Sequence, residues 1–165
     1  MAENEKLIEQ RCCELLKARG MTFAAAESCT GGLVASRLTE VPGASAVFGC
    51  GIVSYNNEVK TDILGMDAAV IREYTAVSAQ TAAAMAEAIR QKAGAEIGIG
   101  VTGNAGPAAS EGQPVGLVFV AVASEKYIHV SRMFIDRPDE DARGLIRHLA
   151  ALKALSLLRK AAEKY

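Results

Sequence analysis

The segment AESCTGG places two nucleophilic residue types beside two glycines. Ser28 and Cys29 carry a hydroxyl and a thiol, and either group can attack a carbonyl carbon once a base removes its proton. Thr30, Gly31 and Gly32 follow at the start of a helical pattern, where free backbone N–H groups attract anions. An ordinary strand-to-helix turn explains the segment equally well, because Ser28 or Thr30 could simply cap the helix. Both interpretations stay open from the residues alone.

Lys60 is the best candidate for a base. If Asn57 caps the helix that follows it, Lys60 lies in the first helical turn, where the helix dipole disfavours a protonated amine. A neutral lysine amine can accept the proton of a serine hydroxyl, as it does in Ser-Lys hydrolases. Tyr55, just before the turn, could orient the amine or relay the proton. The alternative is an exposed helix lysine that follows a half-buried tyrosine.

A cysteine enzyme and a structural zinc site are both disfavoured. Cys29 would need a nearby base, and the two histidines lie elsewhere, His129 within a predicted strand and His148 on the last helix. No CxxC pair exists among the remaining cysteines, which are Cys12, Cys13 and Cys50. With only two imidazoles to add, we expect no structural zinc site.

A second loop of small residues follows the predicted strand that ends at Thr102. The glycines of TGNAGP, beginning with Gly103, expose backbone N–H groups that suit an anion or a carboxamide, although a plain surface loop is an equal alternative. The residues from Gly98 onward also match GxGxxG, but we reject a dinucleotide-binding motif. Its first two glycines lie inside the strand, and prolines follow where a helix should begin.

Two arginines on the last helix could hold a phosphate group. Arg143 and Arg147 are four residues apart and share one face of the helix, and an arginine guanidinium binds phosphate in a bidentate manner. The acidic residues 139–141 could instead pair with these arginines as ordinary surface contacts. Position alone favours that second interpretation.

The predicted elements bring these loops to one edge of a sheet. Periodicity and turn residues predict helices over residues 3–19, 30–40, 57–64, 67–74 and 78–93, and a long final helix that opens at 136–140. Strands are predicted over residues 21–26, 47–55, 96–102, 116–124 and 127–135. Helices separate the early strands and a two-residue link joins the last two. This order predicts a three-layer α/β/α sandwich whose mixed sheet ends in an antiparallel hairpin.

The composition narrows the classes of partner. The chain has 165 residues, a formal net charge of −1 and no Trp, which predicts a single domain over residues 1–165 and disfavours a nucleic-acid surface. No apolar run is long enough to span a bilayer, and the charged N-terminal residues do not resemble a signal peptide. We therefore expect a cytoplasmic protein with reduced thiols and no membrane partner.

Six motifs occur in an order that resembles the CinA C-terminal domain family, whose members include nicotinamide-nucleotide amidohydrolase. They are AESCTGG, PGAS followed by F-x-x-G, SYNNEVK, AVS, VTGNAGP and QPVG, and the resemblance covers roughly residues 5–158. It implies the stand-alone form of the domain, an α/β homodimer that needs no cofactor or metal. It also implies a small nucleotide substrate, nicotinamide mononucleotide, whose carboxamide is hydrolysed to give nicotinate mononucleotide and ammonia.

The resemblance and the predicted geometry favour different nucleophiles. By motif matching, the family's Ser-Lys dyad falls on Ser45 and Lys60, and the supporting residues are Tyr55, Ser28, Thr102 and the region of Arg143. Ser45 precedes the second predicted strand and Lys60 follows it, and about seven strand residues span roughly 20 Å. Ser45 can therefore meet Lys60 only through a bent strand, a displaced loop or a second subunit. Ser28 can meet Lys60 if their strands are parallel, so both serines stay candidates.

The loop that contains TGNAGP departs from the family pattern. Asn104 stands where an apolar residue is usual, Ala108 and Ala109 replace two glycines, and Gln113 stands where a lysine is common. These changes fall on the expected substrate loop. The leading prediction is an amidohydrolase; the alternatives are a non-catalytic pyridine-nucleotide-binding or regulatory module and an oligomerisation module without a ligand. The predicted substrate-binding residues are Thr30, Gly31, Gly32, Thr102, Gly103 and Arg143.

Overall fold

Five strands form one mixed sheet in the computed structural model, which describes residues 7–136 and 142–164. In chain order the strands are β1 (Phe23–Glu27), β2 (Phe48–Val53), β3 (Ile97–Gly103), β4 (Leu117–Ala123) and β5 (Ile128–Phe134). Their order across the sheet is β2-β1-β3-β4-β5. Strand β1 runs parallel to β2 and β3, whereas β4 is antiparallel to both β3 and β5. The predicted mixed sheet and its final antiparallel hairpin are confirmed.

Helices cover both faces of the sheet. They are α1 (Ile8–Arg19), α2 (Leu33–Thr39), α3 (Ala68–Tyr74), α4 (Ala79–Ala93) and α5 (Ala142–Lys164). Apolar side chains of α1, α2 and α5 form one cluster with the sheet, and those of α3 and α4 belong to a second cluster on the other face. The predicted α/β/α layers are therefore confirmed. Two predicted helix starts, residues 3–6 and 137–140, lie outside the described residues.

Strand β1 is buried on both faces, which explains its run of small apolar residues. Phe23 and Ala25 contact the cluster of α1, α2 and α5, while Ala24 and Ala26 contact the cluster of α3 and α4. A parallel strand in the middle of a sheet has no solvent face, so its sequence does not alternate between apolar and polar residues. Its carboxyl end delivers Ser28 to the edge of the sheet.

The glycines of β3 provide room for α4. A Cβ atom at Gly98 would lie 2.0 Å from the carbonyl oxygen of Ala86, and one at Gly100 would lie 2.3 Å from the carbonyl oxygen of Ala82. Both distances are far shorter than any real contact, so α4 rests directly on the backbone of the strand. The GxGxxG match is thus a packing feature, which agrees with its rejection as a dinucleotide-binding motif.

One predicted helix has a different geometry in the structure. The sequence predicts an α-helix from Asn57 to about Leu64, but most of this segment is a π-helix over Val59–Ile63. Its wide turn is closed by a hydrogen bond of 2.9 Å from the Leu64 N–H to the Val59 carbonyl. Asn56 rather than Asn57 caps the segment, because the Asn56 side-chain oxygen accepts the Val59 N–H at 2.9 Å.

Candidate active site

A pocket of about 440 Å³ lies at the carboxyl ends of β1 and β3. These strands are parallel neighbours, so the loops that follow them meet at the same edge of the sheet. The segment after β2, the segment before α4 and the first turn of α5 complete the walls. The residues that line the pocket include Ser28, Cys29, Tyr55, Lys60, Ala76, Thr102, Gly103, Asn104, Glu111 and Arg143.

Lys60 is a buried lysine on the wall of this pocket, with only 1% of its surface exposed. Its amine nitrogen Nζ lies 3.4 Å from the hydroxyl oxygen Oγ of Ser28. Burial lowers the pKa of Lys60, because the charged amine loses its contact with water. Burial therefore makes the amine easier to deprotonate than that of an exposed lysine, and the structure places this amine beside a serine hydroxyl.

The loop between β2 and the π-helix forms a cage of carbonyl oxygens around the Lys60 amine. The carbonyls of Ser54, Tyr55 and Asn56 accept from Nζ at 2.9, 3.5 and 3.4 Å. The Asn56 side chain fixes the same loop by accepting the Val59 N–H. The π-helix that carries Lys60 follows at once, and single π-turns of this kind recur at functional sites. Loop and helix together hold the amine at the pocket.

Ser45 lies at the opposite end of β2 from Lys60. It is exposed in a 3₁₀ turn over Ala44–Ala46, before the strand begins, and it is not among the residues that line the pocket. Strand β2 is irregular near its start but still has six residues, which span about 20 Å. Within one chain, the structure therefore brings Lys60 to Ser28 and leaves Ser45 apart. A role for Ser45 at this site stays a prediction that needs a second subunit.

The carboxylate of Glu27 occupies the start of α2. Buried at the end of β1, it accepts the N–H groups of Gly32 at 3.0 Å, Val34 at 3.0 Å and Ala35 at 2.9 Å. These donors belong to the first turn of the helix, which cannot pair them within itself. A carboxylate at this end also interacts favourably with the helix dipole. The sequence signal was available, because a glutamate closes an apolar strand directly before SCTGG.

Thr30, Gly31 and Gly32 shape the turn after β1 and do not line the pocket. The Gly31 N–H donates to the Ser28 carbonyl at 3.0 Å, and the Gly32 N–H donates to the Glu27 carboxylate. Thr30 is completely buried. The N–H groups of both glycines are therefore engaged within the chain. This corrects the prediction of a free anion cradle, because the protein's own carboxylate fills it.

Replacing Glu27 with alanine is expected to lower the free energy of unfolding by about 3 kcal/mol, because buried N–H groups lose a charged acceptor. Urea denaturation of the purified protein measures the change. Glu40→Ala is the matched control, since Glu40 is exposed just after α2, and we expect it to cost less than about 0.5 kcal/mol. Equal stability of the two variants would contradict a structural role for the Glu27 carboxylate.

The two arginines of α5 have different partners. Arg147 donates to the carbonyls of Cys29 at 3.2 Å and Thr30 at 2.9 Å, so it holds the turn after β1. Arg143 is an exposed residue of the pocket wall, and it donates to the Tyr55 hydroxyl at 2.8 Å and to a main-chain carbonyl of the loop after β3. Arg143, and not Arg147, is therefore the arginine available to an anionic group in the pocket.

The loop after β3 is anchored by two buried polar side chains, Thr102 and Asn104. The Thr102 hydroxyl donates to the Ala76 carbonyl at 2.6 Å, which joins β3 to the segment before α4. The Asn104 amide donates to the carbonyls of Ala108 at 3.0 Å and Gln113 at 3.1 Å. The asparagine that departs from the family pattern thus supplies an internal anchor for the loop.

The thiol of Cys29 is a poor nucleophile in this structure. Burial raises its pKa to about 12, so the reactive thiolate is scarce at neutral pH. Neither His129 nor His148 is among the residues that line the pocket, so no imidazole stands beside the thiol there. The sequence interpretation that set aside a Cys-His enzyme agrees with this geometry.

The described residues contain neither a metal-binding cluster nor a membrane-spanning helix. No three His, Cys, Asp or Glu side chains among them come together in a way that could hold a metal ion. No helix of these residues combines the length and the apolar character needed to cross a bilayer. The four cysteines are free thiols.

Proteins of similar sequence align with most of the chain. The family model of the CinA C-terminal domain matches residues 5–162. A CinA-like protein from Acidobacterium capsulatum is 47% identical over 154 residues, which are 93% of this chain and 36% of that protein. A putative competence-damage inducible protein from Desulforamulus reducens is 50% identical over 123 residues, which are 74% of this chain and 30% of that protein. The chain thus spans about a third of the length of these relatives.

Solved structures share the fold as well as the sequence. A CinA superfamily protein from Klebsiella pneumoniae superposes with a TM-score of 0.88 at 30% identity, over 96% of this chain and 97% of that one. The competence/damage inducible protein CihA from Agrobacterium tumefaciens gives a TM-score of 0.84 at 36% identity, over 94% of this chain and 95% of that one. Sequence, fold and the order of the six motifs agree. The chain therefore belongs to the CinA family, through its C-terminal domain.

Proposed function

We propose that the chain is an amidohydrolase that converts nicotinamide mononucleotide into nicotinate mononucleotide and ammonia by a Ser-Lys mechanism. One observation carries the proposal: the buried amine of Lys60 lies 3.4 Å from the Ser28 hydroxyl on the wall of a pocket. A serine within hydrogen-bond reach of a neutral lysine is the minimal pair for acyl transfer. The nucleotide substrate is inferred from the resemblance to the amidohydrolases of the family.

The acyl-transfer step uses the Lys60 amine as base and then as acid. The neutral amine accepts the Ser28 proton while Oγ of Ser28 bonds to the carboxamide carbon. The tetrahedral intermediate collapses, the C–N bond breaks, and Lys60 gives the proton to the departing nitrogen, which leaves as ammonia. The acyl group stays on Ser28 as an ester. Lys60 then takes a proton from water, the hydroxide attacks the ester, and the Ser28 oxygen recovers that proton as nicotinate mononucleotide leaves.

The main chain after Ser28 suits the stabilisation of the tetrahedral oxyanion. Cys29 lines the pocket, and its N–H donates to no main-chain carbonyl among the described residues. Hydrolases of other folds use the N–H of the residue after the nucleophile for this purpose. Arg147 donates to two carbonyl groups of the turn, and the Glu27 carboxylate accepts an N–H group of the same turn. These contacts fix the position of the Cys29 N–H before the reaction begins.

Arg143 is the proposed partner of the substrate phosphate. It is exposed on the pocket wall, and its guanidinium can bind two phosphate oxygens at once. The Tyr55 hydroxyl, which accepts from Arg143, orients that guanidinium. Thr102 and Gly103 also line the pocket and are the proposed contacts for the rest of the substrate.

Release of ammonia from nicotinamide mononucleotide by the purified protein tests the proposed function. We expect equal amounts of ammonia and nicotinate mononucleotide, measured by an enzyme-coupled ammonia assay and by chromatography of the nucleotides. Binding of the nucleotide without ammonia release would instead favour a non-catalytic pyridine-nucleotide-binding or regulatory module. The absence of both binding and release would favour an oligomerisation module.

A further inference from the structure

Glu111 supplies the one acidic side chain among the described residues that line the pocket. Its carboxylate is held in place, because Oε2 accepts the Ala76 N–H at 2.8 Å across the pocket. Its other oxygen, Oε1, has no hydrogen bond among the described residues. The pocket therefore presents a positioned negative charge with one oxygen open to a ligand.

The backbone of Glu111 is in a conformation that favours glycine. Glu111 and Gly112 form the tip of a two-residue hairpin turn, with φ angles of +50° and +73°. Glycine and asparagine are the usual residues at such left-handed positions. The Glu111 carboxylate accepts the Ala76 N–H, and the residue before it, Thr75, also has a positive φ of +68°. Two unfavourable backbone conformations thus converge on one contact, and strain of this kind concentrates where a side chain serves a ligand.

The negative charge of Glu111 favours the protonated form of Lys60, which cannot act as the proposed base. Burial lowers the pKa of Lys60, and the Glu111 carboxylate is the strongest influence in the opposite direction. An unneutralised carboxylate is therefore a disadvantage for a lysine that must lose its proton. A substrate that carries its own positive charge neutralises the carboxylate and removes that disadvantage at the moment of binding.

We propose that Glu111 is a specificity-determining residue that selects an amide attached to a cationic ring. The proposal rests on the proposed function, because the carboxamide of nicotinamide mononucleotide is bonded to a pyridinium ring with a fixed positive charge. With the carboxamide carbon at Ser28, the ring lies in the pocket that Glu111 lines, and the phosphate has Arg143 as its partner. Both charges of the substrate then meet a side chain of opposite charge.

The experiment compares nicotinamide mononucleotide with benzamide riboside 5′-monophosphate, which carries the same carboxamide and phosphate on an uncharged ring. Glu111→Gln keeps an oxygen that can accept the Ala76 N–H and removes only the charge. We expect this variant to lower kcat/KM for nicotinamide mononucleotide about tenfold. For the neutral analogue, kcat/KM should stay the same or rise, because the variant removes a carboxylate that this substrate cannot neutralise. Glu125→Gln is the matched control, since Glu125 is exposed in the turn between β4 and β5 and outside the pocket lining, and it should leave both values unchanged.

An equal loss for both substrates, or no loss for nicotinamide mononucleotide, would overturn the inference. Glu111→Gly relieves the left-handed backbone and also removes the carboxylate, so it should show the same loss of preference for the cation. Equilibrium binding of the two nucleotides gives a readout that does not need turnover, and Glu111→Gln should weaken binding of the pyridinium nucleotide alone. Binding of neither nucleotide overturns the inference. Failure of the proposed function appears separately, as binding by the unmodified protein without ammonia release.

Discussion

Replacing Ser28 with alanine is expected to lower kcat for ammonia release from nicotinamide mononucleotide by about 10⁴-fold or more. The substitution removes the oxygen that attacks the carboxamide carbon. The Lys60 amine keeps its position, because the carbonyl cage of Ser54, Tyr55 and Asn56 does not depend on Ser28. Substrate binding should change little, so we expect KM to stay within about threefold. Steady-state kinetics with the coupled ammonia assay measure both constants.

Ser45→Ala is the matched control for Ser28→Ala, because it removes the same atom from an exposed serine outside the pocket lining. We expect it to change kcat less than about threefold. The reverse pattern, with an active Ser28→Ala and an inactive Ser45→Ala, would contradict the assignment and move the nucleophile to a second subunit of the predicted homodimer. Mixed Ser45→Ala and Lys60→Met protomers would then regain activity, since each hybrid pair would hold one intact Ser45–Lys60 site.

Replacing Lys60 with methionine is expected to lower kcat by about 10³-fold or more, because the long apolar stem is kept and the base is lost. Lys92→Met is the matched control, since Lys92 is an exposed residue in the last turn of α4, and we expect it to leave the kinetic constants unchanged. A Lys60→Met variant with normal turnover would rule out the Ser-Lys mechanism.

The dependence of activity on pH gives a second measurement of the role of Lys60. Burial lowers its pKa from the ordinary 10.5, so the neutral amine becomes the main form at a lower pH than for an exposed lysine. Because the base is the neutral form, kcat/KM should rise with pH through the lowered pKa and then stay constant. A profile that still rises at the ordinary pKa of 10.5 would contradict a buried base.

The approach of Ser28 to Lys60 follows in part from the sequence. The helical patterns between the early strands predict parallel strands, and the carboxyl ends of parallel neighbours share one edge of the sheet. That reasoning brings Ser28 and Lys60 together and separates Ser45 from both. The same reasoning does not predict the carbonyl cage around the Lys60 amine. The cage depends on the π-helix after Asn56, and the apolar pattern of that segment does not distinguish a π-helix from an α-helix.

The partners of charged side chains are harder to predict than the strands. Arg143 and Arg147 lie on one face of the same helix, yet one lines the pocket and the other binds the turn after β1. The crossing of α5 over that turn decides this difference, and no local pattern encodes it. Glu111 is harder still, because residue preferences argue against a glutamate at a left-handed position. The sequence shows only a loop rich in glycine and proline there.

Gly98 and Gly100 make the pocket sensitive to changes at positions that carry no reactive atom. Helix α4 rests on the bare backbone of β3 at these two glycines. The segment just before that helix supplies Ala76, whose N–H and carbonyl are held by Glu111 and Thr102. A methyl group on either glycine would displace the helix and carry this segment with it. A genetic screen for loss of function should therefore find alanine substitutions at these two glycines as well as substitutions at the catalytic residues.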